Sequence, residues 1–178
     1  MGIYALESYV LILRGQNLLG FINGLSTNKV EGTCTTIFVD KVAKIVDMVD
    51  VIEMDGFIAL VGHLNYKERL IQAITSKILG QQISIGDATN SNDVFLSTED
   101  IDVGDDSTKV ETFRGWLIVS PAGKGPIADM TEEEFADYRV KNMIPHQEFE
   151  ISEKVHRAPW KECHDKYQRA QRSHSGYP

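Results

Sequence analysis

The chain has 178 residues, 42% of them hydrophobic, two cysteines and a formal net charge of −8, enough for one domain or two small ones sharing an interface, with roughly 70% of the unfolded surface buried. Two cysteines are too few for a disulfide framework or a four-thiolate metal site, and no apolar run approaches a membrane-spanning length of about 18 residues. The charge is uneven: residues 1–153 carry 12 Lys+Arg against 24 Asp+Glu, whereas 154–178 carry six against two, so the acidic body argues against general nucleic-acid binding, which needs clustered cationic surface.

The charge shift divides the chain into an expected folded region over 1–153, read as one unit or two intertwined subdomains, and a basic, poorly ordered tail over 154–178. The start "MGIYALESYV" has an acidic residue where a signal peptide carries a basic one. The expected setting is therefore the cytoplasm, with Cys34 and Cys163 as reduced thiols.

In chain order, "YALESYVLILRG" reads as a strand around Tyr9–Leu13, closed by Gly15. Asn17 stands where it can cap a helix with Leu18, Ile22 and Leu25 on one face. Gly20 and Gly24 each cost that helix about 1 kcal/mol relative to Ala, which predicts a compensating close approach to a sheet or a ligand.

"TTIFV" and "KIVDMVDVIEM" read as strands, and Asp55-Gly56 predicts a hairpin into "FIALVGH". The helical period of Leu70, Ile71, Ile74, Ile78 and Leu79 predicts a helix ended by Gly80. "QQISIG" is a short strand, and the acidic segment after it contains "VFL", an expected edge strand. "WLIVSP" is another strand, "PAGKGPI" a plain turn because it lacks the phosphate-loop spacing, and "TEEEFADYRVKN" a helix with Thr131 and Glu134 as a capping box. Helices separated by runs of strands predict an α+β fold, a mainly antiparallel sheet with helices on one face.

Cys163, His164, His156 and His174 lack paired ligand spacing, so no metal site is expected. Asp47 is the most informative charge. It interrupts an apolar strand, and two readings stay open: a half-buried carboxylate of raised pKa beside a cleft, or a solvent-facing residue with Val46 and Met48 packed inward, which spacing alone favours. A bulge between Asp47 and Asp50 would reconcile their opposite faces.

"RGQNLLGFINGLSTNKV", "FVDKVAKIVDMVDVIEMDGFIALVGHLNYKERLIQAI" and "YRVKNMIPHQEFEISEKV" together resemble, in order and spacing, successive blocks of the glycine-cleavage T-proteins (aminomethyltransferases) and the folate-binding YgfZ family. The resemblance implies a folate-binding, ferredoxin-like α+β fold, in a reduced form without the family's C-terminal barrel. It implies a tetrahydrofolate-binding protein of one-carbon metabolism, related to enzymes that take a one-carbon unit from a lipoyl carrier protein. The YgfZ side implies instead a non-enzymatic factor for assembly or repair of iron–sulfur proteins. Carried over by position, it suggests Asp47 as the catalytic carboxylate and Thr27, Asn28, Asn65 and Arg139 as ligand contacts, with the Thr27-Asn28 end facing a pocket near Asp47. Met48 and Lys141 stand where the family carries acidic residues.

Overall fold

In the computed structural model, which describes residues 2–148 and 151, two antiparallel sheets stack. The larger has the order β3 (Cys34–Val39), β4 (Ile45–Met54), β5 (Phe57–His63), β2 (Ser8–Gly15), β6 (Ile83–Asp87). The smaller has the order β1 (Ile3–Leu6), β7 (Asn92–Ser97), β9 (Gly115–Pro121), β8 (Thr108–Thr112). Three helices accompany them: α1 (Leu18–Asn23), α2 (Lys67–Ile78) and α3 (Glu132–Lys141).

The larger sheet contains the β-α-β-β-α-β unit of a ferredoxin-like fold. β2, β4, β5 and β6 form it with α1 and α2, and β3 adds an edge strand beyond β4. One face buries Tyr9, Leu11, Leu60, Val49 and Val51 against Phe21 and Ile22 of α1 and Leu70 and Ile74 of α2. The other buries Val10, Ile52, Ala59 and Val61 against Val94 and Leu117 of the smaller sheet. The α+β expectation holds, with α1 and α2 on one face of the larger sheet, the second sheet on its other face, and α3 set against β1 through the Phe135–Tyr4 stack.

That double cover explains the loose alternation of β4, eight consecutive residues of which are buried from Ile45 to Ile52. A strand covered on both faces needs apolar residues at every position. Asp50 is the exception on the side of the smaller sheet, and it is compensated: Arg114 Nη2 donates to its Oδ2 and Thr35 Oγ1 donates to its Oδ1. Arg114 lies in the turn between β8 and β9, so this buried ion pair ties the two sheets together.

Several local expectations hold. Asp55-Gly56 makes the two-residue turn between Met54 and its partner Phe57, with Gly56 at φ 82°. Gly80, at φ 82°, follows α2, Thr131 and Glu134 form both halves of the capping box on α3, and "PAGKGPI" turns through the bond from the Lys124 amide to the Pro121 carbonyl.

Others are corrected. "YALESYVLILRG" is two strands in different sheets, with Glu7 at the crossing. β1 and β8 were not anticipated, being four and five residues long and only partly buried. "VFL" belongs to β7, an inner strand between β1 and β9.

Asn17 precedes α1 in the left-handed region at φ 51° and makes no side-chain cap bond. Its amide instead fills the space beside Gly20, where a Cβ would come within 2.5 Å of it. Gly24 is the residue that ends α1 rather than part of its packing face. Neither glycine brings the helix close to the sheet, so the predicted compensation is local. The bulge lies not between Asp47 and Asp50 but just before Asp47, where Val46 is the extra residue opposite Phe38 and Val39.

The basic tail, Cys163, His156, His164 and His174 lie outside the described residues. Among the described residues no helix is long and apolar enough to cross a membrane, and no group of three His, Cys, Asp or Glu could hold a metal.

Removing one partner of a buried ion pair strands the other charge and costs about 3–5 kcal/mol, whereas apolar replacement of both is far milder. Arg114→Met is therefore expected to lower the unfolding free energy by about that amount, and Asp50→Leu with Arg114→Met to recover most of it. Chemical denaturation of the four proteins in the cycle tests this, and additive losses would contradict the tie.

Candidate functional site

Where Glu7 carries the chain from the smaller sheet to the larger, the two sheets part and leave a cavity of about 310 Å³. Each wall is a consequence of the fold: the crossing Leu6–Ser8, the end of β5 from Val61 to His63, Arg114 from the β8–β9 turn, the inner side of α3, and the segment His146–Glu148. Tyr4 and Phe135 close one side as a stacked pair with ring centroids 4.0 Å apart and planes 9° off parallel. This volume lies at the small end of the range of ligand-binding clefts.

The lining mixes charges. Glu7, Asp50, Glu132 and Glu148 supply carboxylates, and Arg114 and Arg139 supply guanidinium groups. Asp50 is satisfied by Arg114 and Thr35, whereas Arg114 Nε is the one buried side-chain polar atom among the described residues without a partner. Glu148 accepts from Asn65 Nδ2 at 2.7 Å. His63 and His146 meet edge to face at 5.6 Å, and burial holds both imidazoles below the ordinary range. They are thus neutral near pH 7 and can donate and accept.

Behind this cavity lies Asp47, 0% exposed. The solvent-facing reading is overturned: by plain alternation Asp47 shares a face of β4 with Val49 and Val51, the face that packs against the helices. There it accepts four hydrogen bonds, from Tyr9 Oη at 2.6 Å, the Met48 amide at 2.7 Å, the His63 amide at 3.2 Å and Gln147 Nε2 at 3.3 Å. Burial pushes the carboxyl up to about 7, against the pull of those four donors, and burial with the neighbouring carboxylate pushes the Tyr9 phenol well above 10.0. Gly62 is required here, because a Cβ would sit 2.2 Å from both Asp47 Oδ2 and Tyr9 Oη.

The residues singled out from the sequence do not form one cluster. Arg139 lines the cavity, with Nη1 donating to the Ile144 carbonyl at 3.3 Å. Asn65 stands just outside, holding Glu148, and Asp47 sits one residue deeper, behind Gln147. Thr27 and Asn28 extend the outer edge of β3: Ser26 bridges Phe38, the Thr27 amide donates to the Ile37 carbonyl at 2.9 Å, and Thr36 Oγ1 donates to Asn28 Oδ1. They do not line the cavity.

Sequence reasoning passed over Glu7, Tyr9, Arg114 and Gln147. A signal existed for one of them, Tyr9. Gly62 inside an apolar strand marks close approach of another group, and its cross-strand partner is Tyr9. Arg114 and Gln147 become functional only through contacts 64 and 100 residues away, which no local pattern records.

The architecture is similar to that of glycine cleavage system aminomethyltransferase T from Bartonella henselae, with a TM-score of 0.54 and 10% sequence identity. The match covers 80% of this chain and 46% of that one, so the chain spans about half of its length, and the likeness is one of fold. No protein-family model matches the chain, and no curated protein matches it.

A folded-state carboxyl near 7 against an ordinary 3.8 means that folding favours the protonated form of Asp47. Its contribution is fully present below about pH 4 and is lost as pH rises to about 7, by on the order of 4 kcal/mol. His63 and His146, held low, act in the opposite sense, losing stability as pH falls through 6.5. The unfolding free energy of the wild type minus that of Asp47→Asn isolates the carboxyl. This difference is expected to fall by several kcal/mol between about pH 4 and 7, and a flat difference would contradict the assignment.

Proposed function

We propose that the chain is a T-protein-related protein that binds a reduced folate in the cavity between the sheets. The observation that carries the reading is the coincidence of a T-protein-like fold with a cavity whose lining combines Arg139, His63 and Glu148. The chemistry of the lining supports it. Glu7, Glu132 and Glu148 offer acceptors to an amine-rich heterocyclic edge, the Tyr4–Phe135 pair offers an aromatic wall, and Arg139 offers a cation to an anionic tail. Arg114 Nε is a donor still in need of an acceptor.

The reading is of binding rather than group transfer. A proton acceptor for chemistry must come within hydrogen-bond reach of the reacting nitrogen, and Asp47 is separated from the cavity by Gln147. The same feature supports the second reading from the resemblance, a non-enzymatic accessory role of the YgfZ kind toward iron–sulfur proteins. Transfer from a lipoyl carrier protein requires Asp47 to gain access to the ligand.

Tetrahydrofolate at a hundred times its dissociation constant should add about 2.7 kcal/mol to stability. The expected outcome is a rise in the thermal unfolding midpoint with tetrahydrofolate, weakened at least tenfold in ligand concentration by Arg139→Ala. No rise at millimolar tetrahydrofolate would contradict a folate site.

A further inference from the structure

Gln147 faces two compartments. It is 4% exposed and lines the cavity, yet its Nε2 donates to Asp47 Oδ1 at 3.3 Å and to the Met48 carbonyl at 3.0 Å. A carboxamide nitrogen carries two hydrogens, and these two acceptors, converging on one nitrogen, use both. The rest of the carboxylate is spoken for by Tyr9, His63 and Met48. What Gln147 fills is therefore a two-acceptor socket for an NH2 group, at a place where a cavity wall is one side chain thick.

That wall is attached by side chains more than by a ladder. Among the described residues its backbone bonds are one from the Ile144 amide to the Arg139 carbonyl at 2.9 Å and the two of the isolated Gln147–Ile151 bridge. Arg139 Nη1 holds the Ile144 carbonyl, Asn65 holds the Glu148 carboxylate at 2.7 Å, and the Tyr66 hydroxyl takes the Glu148 amide at 2.9 Å. Both ends carry non-glycine residues in the left-handed region, Met143 at φ 53° and Glu148 at φ 69°. Such positions relax when a segment is released, and segments with few backbone bonds open locally at lower free energy than sheet strands.

We infer that Asp47 Oδ1 and the Met48 carbonyl form a sealed subsite for a primary amine or ammonium group, plugged by Gln147 and opened to the cavity when Ile144–Glu148 swings out. At the position of the Gln147 nitrogen the subsite presents two oxygen acceptors, Asp47 Oδ1 and the Met48 carbonyl, so it accepts N–H donors and excludes carboxylates. It stands on these contacts and not on the folate reading, and it holds whatever the outer cavity takes.

The test is Gln147→Ala in the full chain, treated with a water-soluble carbodiimide and methylamine, with the amide products mapped by mass spectrometry. Asp47 is expected to be modified at least ten times faster than in the wild type while Asp50, held by Arg114 and Thr35, is unchanged. Equal Asp47 rates in two folded proteins overturn the plug. In the variant, methylammonium is expected to shift the Met48 and His63 amide resonances and acetate is not, and an equal response to both, or to neither, overturns the amine assignment. Should the variant fail to fold, hydrogen exchange in the wild type decides. The Glu148 and Ile151 amides are expected to exchange through an opening that leaves Val49 and Val51 protected, and exchange of all four in one global event overturns the strap.

Discussion

β4 is buried against helices on one face and against a second sheet on the other, and in such a place a carboxylate survives only with partners supplied by the fold. The buried part of β4 carries two, one on each face. Asp50 is met by an arginine that reaches across from the other sheet, so its compensation becomes the tie between layers. Among the described residues Asp47 is met by no cation. It has four neutral donors instead, which leaves it with a raised pKa and a requirement that Tyr9, the end of β5 and Gln147 all converge on it. The position of the segment after α3, and with it the cavity wall, follows from that requirement.

Much of this frame is legible in the sequence because its signals are local. The Asp55-Gly56 turn, the period of α2 and the Thr131–Glu134 box each depend on residues within one turn or one helix, and each forms where expected. The α+β class follows from their order. The misses share a cause. β1 and β8 are short and half-buried, so their pairing is decided by the smaller sheet rather than by their own pattern. Asp47 was hard to orient because alternation is informative only when one face of a strand meets water, and β4 has no such face.

The site divides along the same line. Arg139 and Asn65, carried over from a resemblance, lie in or beside the cavity, whereas Thr27 and Asn28 belong to the β3 edge, where their polar groups complete a strand end and satisfy the buried Thr36. The Ser26–Asn28 stretch has a full structural role there. Around the cavity, neutral imidazoles, carboxylates and a guanidinium with an unmet donor give a lining of mixed donors and acceptors. The carboxylate best suited to proton transfer is withheld from it by one glutamine.

The central claim is that a reduced folate enters between the sheets at the Glu7 crossing. Amide chemical-shift mapping of the full chain during titration with tetrahydrofolate tests it most directly. The account predicts saturable shifts at Glu7, His63, Phe135 and Glu148, with Thr27 and Asn28 unmoved. Shifts centred on Thr27 and Asn28, or none at saturating ligand, would contradict it.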